Sequence, residues 1–269
     1  MRAQFQEVMA TYNKRGYKPK TKPEKEEEEL IDDSESTTAE VFESLDEGAN
    51  KTEEWVSNNQ NAIIGVIAAI ALAALVYWAY NEFIQSPKQN EALLESIKAN
   101  ELYAAALNAS GQEQDSLYNL ALEGADGKYG LIKIADEYAG TDAGNLANYQ
   151  AGMAYLNIGG DKYQKAIDYL SAYDGGDRVM EALAQAGIGD ALVQVKQYDD
   201  AVSYYLNAAD TEPNEFSSPK YLLKAAKAAL QAGDNAKAVS ALERIENEYS
   251  DSAEAQNAKV LLGQAKAKN

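Results

Sequence analysis

The 269-residue chain carries a formal net charge of -19 and contains neither cysteine nor histidine. Disulfides, thiol nucleophiles, imidazole bases and most zinc or copper sites are thereby excluded. The acidity also argues against nucleic acid as a partner, because phosphate contacts require clustered Lys and Arg.

The chain opens on a charged head. Residues 1–36 join a basic run, "NKRGYKPKTKPEK", to an acidic one, "EEEELIDDSES". Neither can bury enough apolar area to fold, so a disordered head is predicted, either a solvated leader or a docking tail. Thr37 with Glu40 three residues later then matches a capping box. Val41, Phe42, Leu45, Ala49, Thr52 and Val56 follow at helical spacing. An amphipathic juxtamembrane helix over 37–60 is expected, lying on a membrane surface or against a partner helix.

From Ala62 to Tyr80 no residue is charged. An apolar run of about 20 residues fits the roughly 30 Å hydrocarbon core of a bilayer. Tyr77, Trp78, Tyr80 and Phe83 crowd one end, where amphipathic rings sit at headgroup level. A cleavable signal begins within about the first 15–30 residues and carries a shorter apolar stretch. The position and length here predict a retained transmembrane helix over 61–84, and no second stretch approaches it. Lys51 before the span and Lys88 and Lys98 after it leave the orientation open. Gly65, Ala69 and Ala73 form a narrow strip of small side chains, a contact surface for another helix within lipid.

Residues 89–269 show an internal repeat. In "ALAQAGIGDALVQVKQYDDAVSYYLNAADTEP", Gly189 and Leu192 fall on a first helix and Tyr198, Ala201, Tyr205 and Ala208 on a second, with Pro213 closing the unit. This order resembles the tetratricopeptide repeat, whose small residues let two helices approach while large ones fill the space to the next unit. The frame recurs before it as Gly152, Tyr155, Tyr163, Ala166, Leu170 and Tyr173, and after it as Ala226, Ala229, Ala238, Leu242 and Ile245. Units over about 145–178, 182–213 and 219–252 follow, with a capping helix over 252–267. The fold class predicted is all-α: one transmembrane helix toward the N-terminal side, then a tetratricopeptide-type α-solenoid of helix pairs.

Motifs for chemistry are weak. Ser217 and Lys220 match Ser-x-x-Lys without any supporting motif. "GIG" at Gly187 to Gly189 lacks the third glycine of a dinucleotide fingerprint. "DGGD" at Asp174 to Asp177 is too short for a calcium loop. A non-enzymatic binding protein without cofactor or metal is expected. First helices of such repeats line a concave groove, and the frame assigns to it Tyr149, Met153, Leu156, Ala186, Asp190, Val193, Leu223, Lys227 and Leu230. Such a mostly apolar lining suits a peptide or a partner helix.

The charged head, the single span ending in Tyr and Trp, and the helical repeats together resemble the bacterial YfgM family of membrane-anchored tetratricopeptide proteins. The resemblance implies a place in the inner membrane beside the SecYEG translocon, with the head cytoplasmic and the repeats periplasmic. A translocon subunit, an emerging polypeptide, or a periplasmic chaperone or prolyl isomerase is then the implied partner. The longer head departs from that family's pattern. A cytosol-facing import receptor, or a signalling anchor that sequesters a regulator through its head, remain alternative readings.

Overall fold

The computed structural model describes residues 52 and 54–267. The expected disordered head lies outside these residues, as do Thr37, Glu40 and most of the expected juxtamembrane helix. All regular elements among the described residues are helical. The chain divides into two units at Ile70 and Ala71.

In the first unit, residues 54–58 are helical and a turn follows at Asn59. The Asn59 amide N–H and its side-chain Nδ2 both donate to the Trp55 carbonyl, at 3.0 and 2.7 Å. Helix α1, Gln60–Tyr80, begins directly after this turn and buries none of its residues.

In the second unit the end of α1 continues without a break through a π-helical turn, Asn81–Gln85, into α2, Ser86–Asn108. The π turn ends two residues before Pro87, whose ring would clash with the carbonyl of Phe83 in regular α geometry. Widening the helix at that point lets the Ser86 N–H reach the Asn81 carbonyl, and the Ser86 hydroxyl donates to the same oxygen at 3.0 Å.

Among the described residues nine shorter α-helices follow, with a 3-10 turn at Gly160–Lys162 before the fourth of them: α3 (Gln112–Glu123), α4 (Leu131–Glu137), α5 (Asp142–Ile158), α6 (Tyr163–Ser171), α7 (Arg178–Gln194), α8 (Tyr198–Thr211), α9 (Ser218–Ala232), α10 (Asn235–Glu248) and α11 (Ala255–Lys266). Their starts are written in the sequence. Thr141 caps α5 by accepting from the Gly144 N–H, Asp177 caps α7 through Val179 and Met180, and Asp234 caps α10 through Lys237. Each helix from α2 onward packs on its successor, and α5 also meets α7 and α2, as α9 meets α11. Consecutive helices therefore stack as helix pairs do in repeat proteins.

The core is built from alanine interleaved with a few large side chains. Two buried clusters result, one gathered from α2 to α6 with Ala191 of α7, the other running from Leu170 to Leu262. Small residues bring the helices of a pair into close approach. A Cβ placed on Gly152 would lie 2.5 Å from Leu170 Cγ, and one on Gly189 would lie 2.7 Å from Tyr205 Cε1. Ala226 and Leu242, at the corresponding places in α9 and α10, are both fully buried. Ala166, Ala201 and Ala238, one on each second helix of these pairs, are likewise fully buried.

Candidate binding surface

The nine residues assigned to a groove separate into three groups. Ala186 and Leu223 are 5 % and 8 % exposed and belong to the larger core cluster. Lys227 is exposed, while Tyr149, Met153, Leu156, Asp190, Val193 and Leu230 are half-buried. Met153, Tyr149, Val193 and Leu230 rest against the larger core cluster. Repetition identifies which helix a residue lies on, but the side of the helix left uncovered depends on how closely the neighbouring pair approaches.

Asp190 is an internal tie rather than a free groove charge. Its Oδ1 accepts from the Tyr205 hydroxyl at 2.6 Å, and the Lys224 ammonium reaches Oδ1 and Oδ2 at 2.7 and 2.8 Å. Asp190 on α7, Tyr205 on α8 and Lys224 on α9 thus join one helix pair to the next. The ammonium also lies 5.6 Å from the centre of the Tyr205 ring. Burial, reinforced by the hydrogen bond to the Asp190 carboxylate, pushes the Tyr205 phenol well above its ordinary value.

A second aromatic group surrounds Tyr149. Its ring meets that of Tyr173 edge-on with centroids 5.9 Å apart. Burial first, and then the neighbouring Tyr221 and Tyr173, raise the Tyr149 phenol. Burial likewise raises Tyr103 on α2, with Tyr149 and Tyr118 contributing after it. The Tyr103 ring also lies 5.8 Å from that of Tyr118, centroid to centroid.

An open cavity of about 440 Å3 lies between the N-terminal parts of α7 and α9. Val179, Ala182 and Leu183 of α7, the loop residues Glu212, Asn214, Phe216 and Ser217, and Lys220 and Tyr221 of α9 line it. The repeat frame named none of these. Two small polar residues shape the loop. Asn214 Oδ1 accepts from the Phe216 and Ser217 N–H groups at 3.0 and 2.7 Å. Ser218, fully buried, donates its hydroxyl to the Ala209 carbonyl and accepts from the Asn214 N–H, each at 3.0 Å. The signal was present in "PNEFSSP": an Asn that folds back on its own backbone, followed by Ser-Pro at a helix start.

The motifs set aside in the sequence have structural occupations. Ser217 Oγ exchanges hydrogen bonds with the Asn214 side chain, and Lys220 lies 3.5 Å from the centre of the Phe216 ring. Asp177 caps α7. A Cβ on Gly187 would meet Leu170 and Met153 at 2.9 and 3.2 Å, which accounts for the small residue there. In α1, a Cβ on Gly65 would meet no neighbouring element within 4 Å, and Ala69 and Ala73 are exposed.

Comparison with protein-family models, with curated proteins and with solved structures finds no match to the chain.

Proposed function

We propose that the protein is a membrane-anchored, non-enzymatic scaffold whose tetratricopeptide-type repeats present a binding surface to another polypeptide. The observation that carries this reading is the contrast between α1 and the rest of the chain. Ile70, Leu72 and Leu75 are 64–65 % exposed on a helix that buries nothing, whereas Leu170, Leu192, Leu222 and Leu242 of the stacked pairs are buried. So long an exposed apolar helix is costly in water and favourable in hydrocarbon. Its residues, with Tyr77, Trp78, Tyr80 and Phe83 at one end, suit a single span.

The close approach of Gly152 to Leu170 and of Gly189 to Tyr205 supports the tetratricopeptide reading of the pairs, because that frame puts a small residue on the first helix opposite a large one on the second. The resemblance to the YfgM family adds the inner membrane, a cytoplasmic head and periplasmic repeats. It also adds the SecYEG translocon, and a chaperone or prolyl isomerase, as partners. Protease added to spheroplasts tests anchor and orientation together. Digestion of the repeats with survival of a head-bearing fragment is expected. Repeats that stay protected until the membrane is opened would overturn this orientation in favour of a cytosol-facing receptor.

A further inference from the structure

The cavity between α7 and α9 has the features of a recognition pocket, and its chemistry specifies an occupant. Its volume falls within the range of small-ligand and side-chain pockets. Much of its wall is apolar. Phe216, Val179 and Leu183 are 75 %, 57 % and 38 % exposed around it, so their surface stays in water until something covers it. Tyr221 and Ala182 supply a buried floor.

The wall is also set in advance. The Asn214 turn and the buried Ser218 hydroxyl fix the loop that carries Phe216, through four hydrogen bonds of 2.7–3.0 Å. A preformed wall avoids the ordering cost that a floppy loop would add on binding.

Charge then discriminates among apolar occupants. On one side Arg178 donates to Glu212 at 2.8 Å and to the Thr211 carbonyl, so those charges answer each other. Lys220 is different. Its ammonium stands over the Phe216 ring at 3.5 Å and has no carboxylate partner among the described residues. Lys220 thus leaves a positive charge in the wall of a largely apolar cavity, in a chain of net charge -19. An apolar floor within a rim of both charge signs is the arrangement by which proteins recognise protein segments.

We propose that this pocket binds a peptide segment in which a large apolar side chain is followed closely by Asp or Glu, the apolar group entering beside Phe216 and Leu183 and the carboxylate meeting Lys220. This deepens the scaffold reading and rests on it, since the pocket lies between the first helices of successive pairs.

The test uses the full chain in lipid nanodiscs and two fluorescein-labelled peptides, Ser-Gly-Leu-Phe-Glu-Asp-Gly and its counterpart with Lys-Lys in place of Glu-Asp. Anisotropy should show binding of the acidic peptide, weakening as salt rises. Lys220→Glu should reduce that affinity by about tenfold and shift the preference toward the basic peptide. Lys220→Gln, which reverses no charge, should bring the two peptides to similar affinity, and Leu183→Asp should weaken both. Failure of the intact chain to bind either peptide, equal binding of the two, or binding indifferent to Lys220 would overturn the proposal. Loss of far-UV helical signal in Lys220→Glu would pass the decision to Lys220→Gln. Spheroplast proteolysis decides the scaffold's placement independently, so a failed pocket with accessible repeats leaves the anchor reading standing.

Discussion

Gly189→Ala is expected to destabilise the protein although alanine is the better helix former. Two opposing effects decide the sign. Replacing a mid-helix glycine ordinarily gains about 1 kcal/mol from backbone entropy. Here the new methyl would lie 2.7, 2.8 and 3.0 Å from three carbons of the Tyr205 ring, where ordinary contact begins at 3.4 Å. The ring has little room to retreat, being 3 % exposed with its hydroxyl held by Asp190 at 2.6 Å. Overpacking of this kind costs about 1–3 kcal/mol, so the net effect runs from near zero to a loss of about 2 kcal/mol. Gly263 on α11 supplies the control, because a Cβ there meets nothing within 4 Å and the full gain should appear. Each kcal/mol moves Tm by about 2–4 °C for a domain of this size. Thermal melts of the full chain in detergent, followed by far-UV circular dichroism, should place Gly263→Ala above the parent and Gly189→Ala at or below it. A Gly189→Ala protein stabilised as much as Gly263→Ala would refute the close approach of α7 and α8.

The tie at Asp190 should respond unequally from its two ends. Lys224 and Asp190 are both more than a third exposed, so Lys224→Met should cost less than about 1 kcal/mol in urea unfolding. Asp190→Ala should cost about 1–3 kcal/mol by removing the acceptor of the buried Tyr205 hydroxyl, and equal costs would count against that hydrogen bond. Alkali should also unfold the repeats. Burial raises the Tyr205 and Tyr103 phenols above their ordinary value of 10.0, so their contribution is intact below pH 10 and is lost as pH climbs through the folded-state values. Urea midpoints that hold level from neutral pH to about 11 would contradict it.

The helix pairs were legible because their spacing is a packing rule written in residue size. Gly152 and Leu170, Gly189 and Tyr205, and Ala226 and Leu242 stand out in a chain otherwise rich in alanine. The apolar helix was equally legible, since an unbroken run from Ala62 to Tyr80 has no other pattern to compete with. The continuity of α1 with α2 was not, because Pro87 reads as a break and only the π turn before it allows the helix to run on. The candidate surface was read least well. Ala186 and Leu223 lie on the expected helices but face neighbours, and Asp190 is already paired. The pocket depends on a loop whose shape comes from Asn214 and Ser218, residues that a repeat frame treats as filler.

The size of the residue at one register position also explains how the pairs are coupled. In the first pair Gly152 faces Leu170, a side chain with nothing to offer beyond its own hydrocarbon. In the second the equivalent partner is Tyr205, and only a glycine leaves its ring enough room. The longer side chain carries a hydroxyl out to Asp190, and Asp190 in turn holds Lys224 of the following pair. Substituting tyrosine for leucine at that position therefore converts packing within a pair into a polar connection between pairs. The connection lies on the same two first helices that frame the pocket, α7 and α9. Asp190 and Lys224 join these two helices directly, while Ser218 ties the start of α9 to Ala209 near the end of α8. A stacked array of helix pairs could hinge at any junction between neighbours. At this junction the Asp190–Lys224 contact and the Ser218–Ala209 hydrogen bond each tie α9 to the pair before it, and both must break for α9 to swing away.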